Sequence, residues 1–332
     1  MIRYLGRRVG HAAITLVVAA VLVFISVRVL PGNPLLTQFG QHTDPAQMQR
    51  VREELGWNQP LWQQFGNYVW GVLARGDLGE SIARPNEQVA RELARRIPAT
   101  IELALAAMLI ALPLGILSGV AAAVWHNRWP DYVSMLGALV GVSVPVFFLG
   151  IVLKAIFTGL PSGYRLPITM MWEPLTGFVL LDAVLQGRSD LWWAGLRHLC
   201  LPALALSSIP TATIARITRS AMLDALRSDY VRTAKAKGSA LARIVWRHAF
   251  CNAAVPVASI AGFQVGMLLS GAVLTETVFD WPGVGKWLVA AVQDHDYAIV
   301  QAGSLLIAGI FVLTNLVLDV MYAWLDPRIR LA

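Results

Sequence analysis

The sequence predicts an all-α, polytopic membrane protein with about six transmembrane helices. Three observations carry that class. Of 332 residues, 56% are hydrophobic and only 14% charged, against about 25% charged in a soluble domain. Apolar runs of about 20 residues, the length that crosses a bilayer as a helix, recur along the chain. The basic residues collect in alternate connections between those runs, as the positive-inside rule predicts for the cytoplasmic face. Net charge is +7, which in this setting points to an anionic membrane surface and not to nucleic acid.

The chain opens with Arg3, Arg7 and Arg8, followed by an apolar run from Val9 to Leu30 broken only by His11 and Arg28. A signal peptide begins the same way, but this run is too long for its h-region and no small-residue cleavage site follows. It reads as a retained first span, so residues 1–30 hold a cytoplasmic N-terminus and that span. Arg28, near the outer end, has a side chain long enough to snorkel to the headgroups.

Residues 31–99 are polar and mixed in charge, an extracytoplasmic segment. Asp44-Pro45-Ala46-Gln47 has the form of a capping box with Pro at the first helical position, and Gly56 would stop that helix. Leu61, Trp62, Phe65, Tyr68, Val69, Val72 and Leu73 then recur at helical spacing. Such a stripe packs on the span ends, lies in the lipid interface, or forms the core face of a small subdomain. Arg91, Arg95 and Arg96 follow, which long translocated loops tolerate.

Residues 100–325 hold the other five spans. Thr100–Trp125 is the second, His126–Asp131 an inner turn, and Tyr132 to about Leu160 the third. Leu175–Leu185 is too short to cross and reads as a re-entrant or surface helix. Leu199–Ile217 is the fourth span, with Pro202 and Pro210 as kinks. Val257–Val278 is the fifth and Ile299–Leu325 the sixth, leaving residues 326–332 as a cytoplasmic tail. The pairs Gly115/Gly119, Gly137/Gly141 and Gly262/Gly266 permit close helix approach. Gln264 and Ser270 are polar groups within a span, and pathway lining is the functional reading for both.

Residues 218–256, between the fourth and fifth spans, hold the densest basic segment. Within them Asp229–Pro256 reads DYVRTAKAKGSALARIVWRHAFCNAAVP. Arg232, Lys235, Lys237, Arg243, Arg247 and His248 stand there against the single acid Asp229. Gly238 can end one helix in the left-handed conformation and Ser239 can cap the next. The segment therefore predicts a helix, a tight turn and a second helix on the inner face. Charge alone leaves open whether it anchors on anionic lipid or receives a protein.

The chain shows no P-loop: before Gly285-Lys286 the first glycine position is Asp280, and Trp287 replaces the hydroxyl residue. HExxH and GxSxG are absent. The two cysteines, Cys200 and Cys251, make no metal or redox spacing. A membrane-embedded enzyme would lack its hydrolytic dyad. A DNA-reading helix-turn-helix at residues 220–252 would be tied to spans on both sides. An ion-coupled secondary transporter remains the alternative, with Asp319 as its candidate carboxylate.

DYVRTAKAKG resembles the cytoplasmic motif of ATP-binding cassette importer permeases, whose general form is Glu-Ala-Ala, three residues, Gly. Those positions are Arg232, Thr233, Ala234 and Gly238, and the absent acid resembles the dipeptide/oligopeptide/nickel branch, where Arg-Thr-Ala is usual. Arg28-Val29-Leu30-Pro31-Gly32-Asn33-Pro34, the GWNQPLWQQF of residues 56–65 and the RGDLGESI of residues 75–82 are similar to that branch. So are the ETVFDWPGVG of residues 276–285 and the YAWLDPRIR of residues 322–330.

The resemblance implies the type I importer permease architecture in a bacterial inner membrane, with both termini cytoplasmic. It implies a second homologous permease subunit, two cytoplasmic ATPase subunits carrying the ATP and Mg, and an extracytoplasmic solute-binding protein. It implies no cofactor, metal, catalytic residue or nucleic acid on this chain. Asp229, Tyr230, Arg232, Thr233, Ala234, Lys235, Lys237, Gly238, Ser239, Arg243, Arg247 and His248 become the ATPase-coupling candidates. Glu276, Trp281, Pro282, Gly283 and Gly285 become a stiff outer loop near the binding protein.

Overall fold

A computed structural model describes residues 2–29, 45–54, 56–84 and 86–325. The described residues are helical throughout apart from their connections and one isolated bridge between Glu80 and Gln88. Asp44, the segment 30–43 and the tail from Asp326 lie outside them.

Helix α1 spans Ile2–Val29, α2 Pro45–Glu54 and α3 Leu61–Arg75. Then come α4, Val89–Val124; α5, Trp129–Ser143; α6, Val146–Ile156; and α7, Val179–Leu185. Helix α8 covers Ser189–Arg227 and α9 Asp229–Ala236. Helix α10, Leu241–Arg243, passes through a π-helical stretch, Ile244–Phe250, into α11, Cys251–Gly271. The chain closes with α12, Val273–Val278; α13, Val284–Gln293; and α14, Tyr297–Leu325. Among the described residues, five helical stretches are long and apolar enough to cross a membrane, or six if the bent pair α5–α6 counts as one broken span.

Four differences from the sequence reading have local causes. The second span begins at Val89 and not Thr100, because Glu92 pairs with Arg95 at 3.1 Å and Arg96 at 3.0 Å across one helical turn. The third span is not one rod: α5 and α6 meet at 106°. Pro145 follows the break and pushes Val144 to an extended ψ of 122°. The fourth span is far longer than Leu199–Ile217, running unbroken through Pro202 and Pro210. The fifth ends at Gly271 and not Val278; α12 is a separate short helix.

Helix α8 is the hub, packing against α4, α5, α6, α7 and α11, while α1 lies outside against α14. Small residues bring α4 and α8 together. A Cβ on Gly119 would come within 2.5 Å of the Ala215 carbonyl oxygen, and one on Gly115 within 2.8 Å of Ile214. Gly262 and Gly266 seat Leu318 and Thr314 of α14 in the same way. Gly141 meets α8, but Gly137 faces open space and packs against nothing. The central core lies between α4, α8 and α11, from Leu103, Ala107, Leu199, Ile214 and Val257 up to Trp281.

Helix α8 holds 39 residues, about 58 Å at 1.5 Å per residue, nearly twice a bilayer's hydrocarbon thickness of about 30 Å. It therefore projects beyond the membrane and carries the basic hairpin on its C-terminal end.

Candidate functional site

Ser228 creates the hairpin's first corner. Its ψ of 155° is extended, and its hydroxyl donates to the Ala225 carbonyl at 2.5 Å, so α8 stops and α9 leaves in a new direction. Val231 and Ala234, one turn apart on α9, are buried against Ile244 and Leu226. Among the described residues this small apolar contact fastens α9, which has no other buried residue.

The turn after α9 is a Schellman closure. Gly238 takes φ +73°, its N–H donates to Lys235 at 2.9 Å, and the Ser239 N–H donates to Ala234 at 3.1 Å. Gly238 acts as the sequence predicts. Ser239 does not: Ala240 occupies the N-cap of α10 and no side chain caps it. The Ser239 amide is drawn back to close α9, which carries its hydroxyl away from the next helix.

Burial divides the candidate residues in two. Asp229, Tyr230, Arg232, Thr233, Lys235, Lys237, Gly238, Arg243 and Arg247 are exposed, Ser239 and His248 half-buried, and Ala234 buried. Arg232 pairs with Asp229 at 3.2 Å on the open surface. Among the described residues, Lys235, Lys237, Arg243 and Arg247 form no ion pair. Between these cations stand the exposed rings of Tyr230 and Trp246 and the side chain of Leu241, 62% exposed. A groove of about 430 Å³ runs beside them, walled by Ser220 and Asp224 of α8, Tyr230, and Asn252 and Pro256 of α11. The surface is thus cationic with apolar anchors, the composition that receives an acidic protein face.

Two further ion pairs fix this end of the bundle. Arg219 of α8 grips Asp131 of α5 with both carboxylate oxygens engaged, at 2.6 and 2.8 Å, and His126 and the Asn127 amide close the cluster. Asp319, the one carboxylate an ion-coupled transporter would use, is held by Arg8 at 3.0 Å.

At the opposite end, Glu276 is fully buried. It accepts the Thr100 hydroxyl at 2.6 Å and the Lys286 amide at 2.9 Å. Burial holds its carboxyl above the ordinary range even though these donors, joined by the Gly285 amide, pull the other way. A Cβ at Gly283 would fall on that carboxylate, 2.2 Å from one oxygen, and one at Gly285 would strike the Val273 backbone at 2.7 Å. Trp281, also buried, donates from Nε1 to the Ala99 carbonyl at 2.9 Å. Of the five candidate residues here Pro282 alone is exposed, so Glu276, Trp281, Gly283 and Gly285 stiffen the loop from within. Lys286 pairs with Asp280 and holds that carboxyl below its usual value.

Several polar anchors have no counterpart in the sequence reading. Arg165 and Glu102 form a buried pair at 2.9 and 2.5 Å, and Glu102 also accepts the Leu180 amide. Asp182 gathers the Leu175, Thr176 and Gly177 amides. Leu175–Leu185 is therefore not one helix, since its first residues are held in a turn and α7 starts at Val179. The signal available was a charged residue at the edge of an apolar run, which demands a partner, but the partner's position is a tertiary fact. Gln264 is buried, and the Ser270 hydroxyl bonds to its own helix at Gly266. Neither lines the apolar cavity of about 500 Å³ between α4, α11 and α14.

Helices that cross a bilayer, a polar hairpin held rigidly at one end of the bundle, and a locked loop at the other define a membrane-embedded transport subunit. The comparisons give its lineage. Residues 95–331 match the binding-protein-dependent transport system inner membrane component family, and residues 1–104 match the family's N-terminal model. The di/tripeptide transport system permease protein of Pseudomonas aeruginosa is 44% identical over 99% of both chains. The dipeptide transport system permease protein of Alkalihalophilus pseudofirmus is 41% identical over 99% of this chain and all of its own. The glutathione transport system permease protein of Salmonella choleraesuis is 39% identical over 99% of both. The chain belongs to this family: it is a permease subunit of an ATP-binding cassette importer, and ATP hydrolysis falls to partner ATPases. A partner permease and a binding protein complete such a system.

Proposed function

We propose that the α9–α10 hairpin is the coupling element that docks on a cytoplasmic ATPase subunit. The observation that carries this reading is the set Lys235, Lys237, Arg243 and Arg247, exposed and, among the described residues, without ion-pair partners around Tyr230, Leu241 and Trp246. An anchor for lipid alone needs the charges but not a Schellman-closed turn fixed to two spanning helices. Because α9 leaves α8 at Ser228 and α10 runs on into α11, a push on the hairpin moves both helices together.

In this reading both termini and the hairpin face the cytoplasm, and the Glu276–Gly285 loop faces the binding protein. ATP binding by two ATPases drives two related, non-identical permease subunits between inward and outward states, and hydrolysis resets them. Residues 31–99 form the extracytoplasmic segment, and Gln264 and Ser270 belong to the pathway once the second subunit is in place. The cargo is a di- or oligopeptide, as the names of the relatives suggest.

The test is co-purification of the ATPases with Arg243→Glu and with Gly238→Pro. Both variants should insert normally and lose the ATPases; undiminished co-purification would refute the docking assignment. Uptake of labelled dipeptides in a deletion strain, restored by the wild-type chain and not by Arg243→Glu, tests the cargo.

A further inference from the structure

Arg28, near the outer end of the first span, is held by side chains from two other helices. Its Nε and Nη2 donate to Gln64 Oε1, both at 3.2 Å, and Nη1 donates to Gln301 Oε1 at 3.1 Å. Its guanidinium carbon lies 3.6 Å from the centre of the Phe24 ring. Guanidinium has five N–H groups, so two remain, and among the described residues no carboxylate pairs with it. Among the described residues this half-buried cation meets only neutral amides and an aromatic ring, which leaves a demand for an anion.

Arg28 stands where two cavities meet. One, about 660 Å³, is polar and aromatic, with Gln64, Tyr68, Tyr297, Gln301 and the exposed Glu80 in its walls. The other, about 410 Å³, is a groove of Phe24, Ile25, Val29, Trp62 and Phe65. The two share Arg28 and Leu61. The groove opens on the exposed apolar side of α1, where Leu22, Ile25 and Val29 face outward, and Arg28 adjoins the end of the first span. That is the depth of the headgroup layer.

We propose that the joined cavity and groove hold one ethanolamine phospholipid. Its phosphate takes the two spare N–H groups of Arg28, its ammonium turns toward Glu80, and one acyl chain lies in the groove between α1 and α3. An apolar chain site continuous with a phosphate-seeking cation suits an amphiphile, whereas a soluble peptide would leave the groove empty. Lipid bound here would pin α3 to α1 and α14, since Gln64 and Gln301 come from those two flanking helices.

The test is native mass spectrometry of the intact transporter, titrated with ethanolamine, choline and glycerol phospholipids and, separately, with inorganic phosphate and a dipeptide. Ethanolamine phospholipid should be retained as one molecule per chain. Arg28→Gln should weaken retention about tenfold, the loss of one charge-assisted contact. Glu80→Gln should remove the preference for ethanolamine over choline. Trp62→Ala should weaken every lipid equally, and because Trp62 is 72% exposed that variant folds normally. Retention no greater than on Arg28→Gln and Trp62→Ala, or occupancy by phosphate or dipeptide at the expense of lipid, would overturn the proposal.

Discussion

Val231→Ala isolates the fastening of the hairpin from its charge. Val231 is fully buried, and with Ala234 it forms the whole contact of α9 with Ile244. Removing two methyl groups costs about 1.6 kcal/mol in transfer, and the remaining cavity brings the total to about 2 kcal/mol. Local opening of α9 should then become about thirtyfold more frequent. Hydrogen exchange of the Gly238 and Ser239 amides, which donate to Lys235 and Ala234, reads that opening directly. Exchange should rise about thirtyfold there while α4 and α8 stay unchanged. An unaltered rate, or an equal rise through the core helices, would refute the claim that Val231 latches α9 locally.

Other perturbations follow from the same geometry. Gly119→Ala forces a methyl to within 2.5 Å of the Ala215 carbonyl, and thermal unfolding should show a loss of about 1–3 kcal/mol. Asp131→Asn breaks the two-pronged Arg219 contact and leaves that cation short of a partner; with Arg219 25% exposed, the cost should be about 2 kcal/mol, below the fully buried range. Glu276 has a raised carboxyl, so its contribution to stability is complete below the ordinary value of 4.5 and is lost as pH climbs through the raised one. The melting temperature of the wild type should fall over that interval, and Glu276→Gln should flatten the decline; parallel profiles would contradict the burial assignment.

The class and the span order were legible because a bilayer imposes a length on apolar runs that composition alone reveals. Gly238 was legible too, since a left-handed closure selects glycine. Helix ends were not: α4 and α8 extend through polar flanks held by Glu92–Arg96 pairing and by packing, neither of which alters hydropathy. Ser239 misled because capping depends on which way the preceding turn closes. The partners of Arg28 were not legible either, since Gln64 and Gln301 reach it from distant parts of the chain. In the Glu276–Gly285 motif, the family resemblance implied a stiff loop without showing that its acid and tryptophan point inward.

The docking account is tested most directly by photocrosslinking from two exposed positions at opposite ends of the bundle, Leu241 and Ile168, 62% and 84% exposed. A photoreactive residue at position 241 should capture an ATPase subunit in intact cells, and one at position 168 should capture none. Capture of the ATPase from position 168, or its absence from position 241 in a transporter that still imports, would contradict the account.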